Sequence, residues 1–450
     1  MGQNSEDVDY GARAKNILGY SRLWQIFAAA VMMALVSPYQ YVWSSLEGPL
    51  ANDLNTSLSA LGFVFTGYVI IMALVQFPTG WWRDRYGPRV VTLLAGVLAG
   101  GGYYGLAFAT EVWHVYLTYA IGAMGVGMVY TVAVNTAIKW FPDRRGLTTG
   151  IGTMAFAAGS AAFVPYVRAA VAEGTLSSAL SNMGLLIAIG ILLGTIVLKD
   201  PPNSWHSGTL QSSTTEAKDG EKTTKGTETS PTAQASSDSS DHIPNGGVES
   251  YTSREMVRTW QFWVMYFMFF AVSAAGLMIT ARVVLYAEQA GLAAATVTIA
   301  ATVLPLASGG GRLIVGGLSD YFDRERITAT SFFICGIATL AIVFFAGFES
   351  GIGYIIAVSV AVFFWSSQFS LFPSLVGDYY GGKYSSENYS LVYSGKMWGG
   401  VFGGGVVGWL VGVLGWDITF VLGGVLALAA GTVGFFLKSP QGIDKGIEQQ

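Results

Sequence analysis

Two cations stand in long apolar runs that otherwise carry almost no charge: Arg312, in TVTIAATVLPLASGGGRLIVGGLSD, and Lys396, in SLVYSGKMWGGVFGGGVVGWLVGVLG. Holding a full positive charge in hydrocarbon costs about 2.5–3.5 kcal/mol on insertion scales, so such residues persist where they have a partner. Reading the chain in apolar segments leaves no acidic residue in the middle of any of them, so the negative charge is expected to arrive from outside as an anion. The two groups suit that task differently: guanidinium is a planar fork for a carboxylate, and ammonium is a compact point charge. One of each, converging from two segments, holds a small dianion, or a monoanion with positive charge left over. Aromatic faces nearby stabilise the cations by about 0.5–2 kcal/mol each when no anion is bound. Phenol hydroxyls and a glutamine amide would supply further donors to the carboxylate oxygens.

The elements that position these residues are membrane helices. Hydrophobic residues make up 52% of the 450 and charged residues only 12%, against about 25% charged in a soluble domain. The 58 glycines suit helices packed closely in lipid. With a window of about 20 residues, the length that spans a bilayer, twelve segments emerge. They cover 22–44, 59–81, 90–110, 113–138, 147–171 and 181–198, then 260–283, 293–317, 327–347, 352–375, 386–412 and 417–437. This divides the chain into a tail (1–21), a six-helix half (22–199), a linker (200–253), a second six-helix half (254–438) and a second tail (439–450). The linker is rich in Ser, Thr, Gly and acids with almost no large apolar groups, a composition that predicts a disordered tether. The polar opening MGQNSEDVDYGARAKN has no signal-peptide cleavage pattern, so the first apolar run should remain as a helix.

Charge then sets orientation. Arg13, Lys15 and Arg22 precede the first segment, Arg83, Arg85 and Arg89 follow the second, Lys139, Arg144 and Arg145 follow the fourth, and Arg324 and Arg326 follow the eighth. The alternate connections, around Glu47–Asp53, Glu111, Glu349 and Asp417, hold no Lys or Arg. The positive-inside rule therefore puts both termini and the linker in the cytoplasm, with the chain multi-pass in the cell membrane.

A loop also repeats. After the second segment the chain reads Gly80-Trp-Trp-Arg83-Asp84-Arg85-Tyr-Gly87-Pro-Arg89, and after the eighth Gly316-Gly-Leu-Ser-Asp320-Tyr-Phe-Asp323-Arg324. The first copy resembles the G-x-x-x-D-R-x-G-R signature of the major facilitator superfamily; the second keeps the Gly, the Asp and the last Arg. The resemblance implies an all-α integral membrane protein of twelve transmembrane helices in two pseudo-symmetric six-helix halves around a central cavity. In such a loop Asp84 and Asp320 cap or pair at helix ends, and Arg85, Arg89 and Arg324 hold a gate through ion pairs that break on opening, with Gly80, Gly87 and Gly316 shaping the turn.

A closer resemblance runs through Tyr39-Gln40-Tyr41-Val-Trp43, GAMGVGMVYTVAVNTAIKWFPDRRG (122–146), TWQFW (259–263), SLFPS (370–374) and ENYSLVYSGKMWGGVFGGG. Together these look like the oxalate–formate antiporter family, and more distantly like monocarboxylate transporters. Matched residue by residue, the resemblance makes Arg312 and Lys396 the ligands of the substrate carboxylates. It adds Gln40, Tyr41, Tyr130, Trp365 and Tyr393 to the cavity lining, while two family tyrosines stand here as Phe156 and Phe369. One departure is Arg282, in GLMITARVVLYAEQAG, where a family member carries an uncharged polar residue. Near the outer mouth it could attract anions, pair with Glu288 or snorkel; reaching the cavity, it would make a third cation.

The histidines are His114, His206 and His242, none in a pathway position, and no Walker loop, metal cluster or nucleophile–base set is present. No enzyme activity, cofactor, metal or nucleic-acid partner is expected. The reading is a monomeric secondary transporter of small carboxylate anions in the lipid bilayer, of the oxalate/formate exchange type. Two alternatives stay open at this stage: a monocarboxylate uptake carrier for formate, lactate or pyruvate, with or without proton coupling, and a non-transporting carboxylate sensor.

Overall fold

A computed structural model describes residues 10–141, 145–202, 250–319, 321–381 and 384–440. Among the described residues the regular structure is helical throughout, with no strand. Twelve helices among the described residues are long and apolar enough to cross a membrane. They are α1 (Leu23–Tyr41), α2 (Leu58–Arg83), α3 (Pro88–Leu106), α4 (Val112–Ala137), α5 (Thr148–Ala172) and α6 (Leu176–Val197). The second set is α7 (Trp260–Gln289), α8 (Ala294–Leu318), α9 (Arg324–Gly347), α10 (Gly351–Tyr380), α11 (Glu387–Leu414) and α12 (Trp416–Gly434). Every expected segment has its helix, because the apolar length that spans a bilayer is also the length over which main-chain groups must satisfy one another.

The packing repeats with a shift of six helices. In the first half α3 packs on α6 and α4, α2 on α4, and α1 on α6; in the second, α9 packs on α12 and α10, α8 on α10, and α7 on α12. Glycines set the closest of these approaches. A Cβ on Gly100 would stand 2.7 Å from the Gly184 carbonyl oxygen where α3 meets α6, and one on Gly336 would stand 2.9 Å from the Gly424 carbonyl oxygen where α9 meets α12. The halves meet through α5 against α8, α2 against α11, and α1 against α7.

Two helix ends differ from expectation. Helix α1 is broken at Ser37 and Val42, and continues as Trp43–Asp53 with Pro49 inside it. The stretch from Glu47 to Asp53, read above as a connection, is therefore helical, and Glu47 is fully buried. Helix α2 runs on to Tyr86 and stops at Gly87, whose φ of 78° favours glycine, with Pro88 opening α3. The second half begins with a capping box: the Thr252 N–H donates to Glu255 at 2.8 Å and its hydroxyl at 2.9 Å, which holds the exposed Glu255 carboxyl below its usual range.

At the first of the repeated loops, on the face that also carries the short helix Tyr10–Leu18 and the Lys199–Pro202 segment (the linker side), Arg83 is ion-paired. It is 3% exposed and bonds Asp200 at 2.8 Å and the Thr136 hydroxyl at 3.1 Å. Lys139 joins Asp200 at 3.5 Å. Arg85 stacks over Trp81 at 4.6 Å, and Arg89 is exposed on the first turn of α3. In the second half Arg324 bonds Asp378 at 2.5 Å, and Gly316 lets α8 approach Ser370 of α10, whose Cβ would be 2.9 Å from an added methyl. Gly80 has room for a side chain, its nearest neighbour atom at 3.9 Å being on Thr131. Asp320 and the side chain of Asp84 lie outside the described residues, as do 203–249 of the expected linker, 1–9 of the first tail and 441–450 of the second.

Candidate anion site

The two cations singled out by their apolar surroundings converge on one ring. The Arg312 guanidinium carbon lies 4.5 Å from the Phe369 centroid, and the Lys396 ammonium lies 5.2 Å from it. Arg312 is 5% and Lys396 4% exposed. Helix α8 supplies the arginine, α10 the ring and α11 the lysine. No carboxylate of the described residues lies within ion-pair distance of either cation. Two buried like charges so placed are costly without an opposite charge, and one ring face each recovers only about 0.5–2 kcal/mol.

The other half closes around them. Arg312 Nη1 donates to the Thr153 carbonyl at 3.1 Å, and Nη2 to the Tyr41 hydroxyl at 3.3 Å. That hydroxyl is itself 2.9 Å from Ser308 Oγ. Tyr130 lies close to Arg312, and its ring meets Phe156 edge-on at 5.4 Å, as Tyr41 does at 6.2 Å. Lys396 Nζ donates to the Tyr393 hydroxyl at 3.5 Å and sits 5.7 Å from that ring. Gln76 of α2 reaches Tyr393 from across the interface. Trp365 stands edge-on to Phe369 at 5.9 Å. Its indole is pressed against α7 where Gly276 provides the space, since a Cβ there would overlap the ring.

Of the candidate residues named from sequence, Arg312, Lys396, Tyr41, Tyr130, Tyr393 and Trp365 thus form one connected group. Gln40, adjacent to Tyr41 in α1, is fully buried, and neither amide atom bonds a described residue. The Trp365 indole N–H, the Gln368 amide nitrogen and the Tyr68 hydroxyl are buried and unbonded in the same sense. Each is a polar group whose desolvation is uncompensated by protein, a state that native structures rarely leave without a purpose.

Arg282, expected near the outer mouth or reaching the cavity, is not part of this group. It is 1% exposed and forms an ion pair with Glu47, which is 0% exposed, while Glu288 pairs instead with Arg168 of α5 at 2.7 Å. The group around Phe369 therefore holds two cations and not three, because Arg282 lies elsewhere and is already paired. From sequence Glu47 is placed in a connection, and neither Arg168 nor the part played by Phe369 is foreseen. A usable signal existed for the first: Trp43, Leu46 and Leu50 repeat at helical spacing across the segment that holds Glu47.

The comparisons agree with this architecture. Over 94% of this chain and 93% of the relative, the sequence is 28% identical to the oxalate:formate antiporter of Oxalobacter formigenes. It is 25% identical to monocarboxylate transporter 7 of Homo sapiens over 39% of this chain and 35% of that protein. Among solved structures, the crystal structure of a D-xylose-proton symporter superposes with a TM-score of 0.70 over 92% of this chain and 97% of its own, at 13% identity, a likeness of fold alone. The model of the Major Facilitator Superfamily matches residues 23–394. Twelve membrane-crossing helices, the six-helix repeat in packing and that match lead to one conclusion: the chain belongs to the Major Facilitator Superfamily.

Proposed function

We propose that this protein is a secondary active carrier of small carboxylates that exchanges one anion for another by alternating access, with Arg312 and Lys396 as the substrate ligands. The observation that carries this reading is the placement of both buried cations over Phe369 without a carboxylate partner among the described residues. A substrate carboxylate supplies the missing charge, Arg312 taking it through its fork and Lys396 through its ammonium. Gln40, Tyr41, Tyr130 and Tyr393 offer donors to the remaining oxygens, and Trp365 limits the length of molecule that fits. Emptied, the site holds two uncompensated charges, which opposes return of the unloaded carrier and favours obligatory exchange. The overall resemblance to the oxalate:formate antiporter supports oxalate and formate as first candidates. Following the charge asymmetry of the connections, the linker side is taken to face the cytoplasm; the carrier is proposed to work as a monomer, with halves spanning 22–199 and 254–438.

A second reading, uptake of a monocarboxylate with a proton, draws on one observation: Glu47 is a buried carboxylate at the boundary of the halves. Its pairing with Arg282 favours exchange over this alternative, because the carboxylate already has its counter-charge. The test is ligand stabilisation of the purified protein with a panel of mono- and dicarboxylates, followed by flux in proteoliposomes. A ligand that binds only the folded state raises apparent stability by RT ln(1 + [L]/Kd). Small carboxylates should stabilise and inorganic anions of similar charge should not. Binding without flux would make the protein a sensor, and absence of both would remove the carboxylate reading.

A further inference from the structure

Glu47 and Arg282 come from different halves and meet where neither touches solvent, at 0% and 1% exposure. The arginine lies in a slot that only glycine leaves open. A Cβ on Gly62 of α2 would stand 2.5 Å from its Nη2, and one on Gly408 of α11 would stand 2.8 Å from the same atom. Nη2 donates to the Gly404 carbonyl at 3.1 Å. Gly404 belongs to a π-helical stretch, Phe402–Val406, in the middle of α11. Such a widened turn re-aims main-chain groups and is common at functional positions. Here the next amide, Gly405 N–H, donates across the interface to Thr66 Oγ1 at 2.9 Å, and Thr66 donates back to the Gly400 carbonyl at 3.0 Å. Four helices, α1, α2, α7 and α11, are thereby tied at one level of the molecule.

That level is at the end opposite the linker side. Beyond it Gly48 packs against Leu285, whose Cδ2 would lie 3.0 Å from an added Cβ, and Arg168 of α5 reaches Glu288 of α7. Both contacts again join the two halves. On the linker side, among the described residues, Arg83–Asp200 and Lys139–Asp200 tie the first half to the start of the linker, and Arg324–Asp378 lies within the second half. A buried ion pair adds little net stability over apolar packing, since desolvation offsets the attraction. It does create a sharp difference between two states: closed, the charges satisfy each other, and open, water satisfies both.

We propose that the Glu47–Arg282 pair is the latch that closes the far end of this carrier, made when the halves meet there and separated whenever that end opens. The proposal rests on the alternating-access reading. It assigns to Arg282 a gating role in place of a substrate-binding one.

The test uses Ser44→Cys, one turn before Glu47 on the extension of α1, where the serine is 1% exposed and its hydroxyl unbonded. The natural cysteine, Cys335, is buried elsewhere. A membrane-impermeant thiol reagent is applied to each side in turn. Adding Glu47→Gln leaves Arg282 unpaired and should raise the labelling rate from the far side about tenfold, equivalent to ~1.4 kcal/mol in the open–closed balance. Glu47→Asp, which keeps the charge, should stay near the parent rate. Equal labelling of the Gln variant and the parent would overturn the latch. Should the Gln variant not fold, Gly48→Cys with Leu285→Cys leaves the pair intact and decides the matter: oxidation should stop exchange and reductant restore it. Continued exchange in the cross-linked protein overturns the proposal. Absence of carboxylate flux from the unmutated protein would instead strike the carrier reading, and the labelling contrast would still judge the latch by itself.

Discussion

Arg312 of α8 is bonded to the opposite half of the molecule at two points, through Nη2 to the Tyr41 hydroxyl at 3.3 Å and through Nη1 to the Thr153 carbonyl at 3.1 Å. The residue proposed to hold the substrate therefore also spans the boundary between the halves. An anion that draws the guanidinium toward itself competes with those bonds, so occupancy and the relative stability of the carrier's states are linked through one side chain. A ligand shifts such an equilibrium only through contacts that differ between states, and Arg312 supplies a difference of that kind.

The first prediction concerns the two cations. Removing one partner of a buried charge pair costs about 2–5 kcal/mol, so Arg312→Ala and Lys396→Ala should each raise the Kd for oxalate by roughly thirtyfold or more. Both variants should remain folded, because each deletion also relieves the repulsion between two buried like charges. Thermal stabilisation against oxalate concentration measures this. Parental affinity in both variants would end the site assignment.

Phe369 should matter most when no anion is bound. Its ring faces both cations, each interaction being worth about 0.5–2 kcal/mol. Phe369→Leu should therefore lower the stability of ligand-free protein more than that of protein saturated with carboxylate. A thermal melt with and without ligand separates the two cases. An equal fall in both would reduce Phe369 to ordinary packing.

Trp365 and Tyr41 form walls of the same group, and selection by length should depend on them. Trp365→Ala and Tyr41→Ala are expected to narrow the preference for short over longer dicarboxylates, by about the 1–3 kcal/mol that a missing methylene-sized contact decides in apolar pockets. Competition by a homologous series against labelled oxalate would show it. Unchanged selectivity in properly folded variants would return these residues to a packing role.

Much of this molecule could be read from its sequence, for identifiable reasons. The twelve spans were legible because a bilayer demands long apolar runs, and Arg312 and Lys396 because a charge in such a run needs a cause. Glu47 was hidden because Gly48, Pro49, Asn52 and Asp53 lower the hydropathy around it and imitate a connection. Its partner depended on which face of α7 meets α1, which no single-chain periodicity records. Phe369 was visible only as a missing hydroxyl. Its position under both cations follows from the three-way convergence of α8, α10 and α11, a tertiary fact. The π-helical stretch of α11 was likewise concealed in a run of glycines that reads equally well as a close-packing face.

The most direct test of the central claim is counterflow of labelled oxalate into proteoliposomes, with a protonophore present to collapse any pH gradient. Vesicles preloaded with formate or oxalate should accumulate label, and vesicles without internal carboxylate should not. Exchange of a dianion for a monoanion moves net charge, so that arm should also respond to membrane potential, worth about 2.3 kcal/mol per charge per 100 mV. Accumulation into carboxylate-free vesicles under an imposed pH gradient, abolished by the protonophore, would contradict exchange and establish proton-coupled uptake in its place.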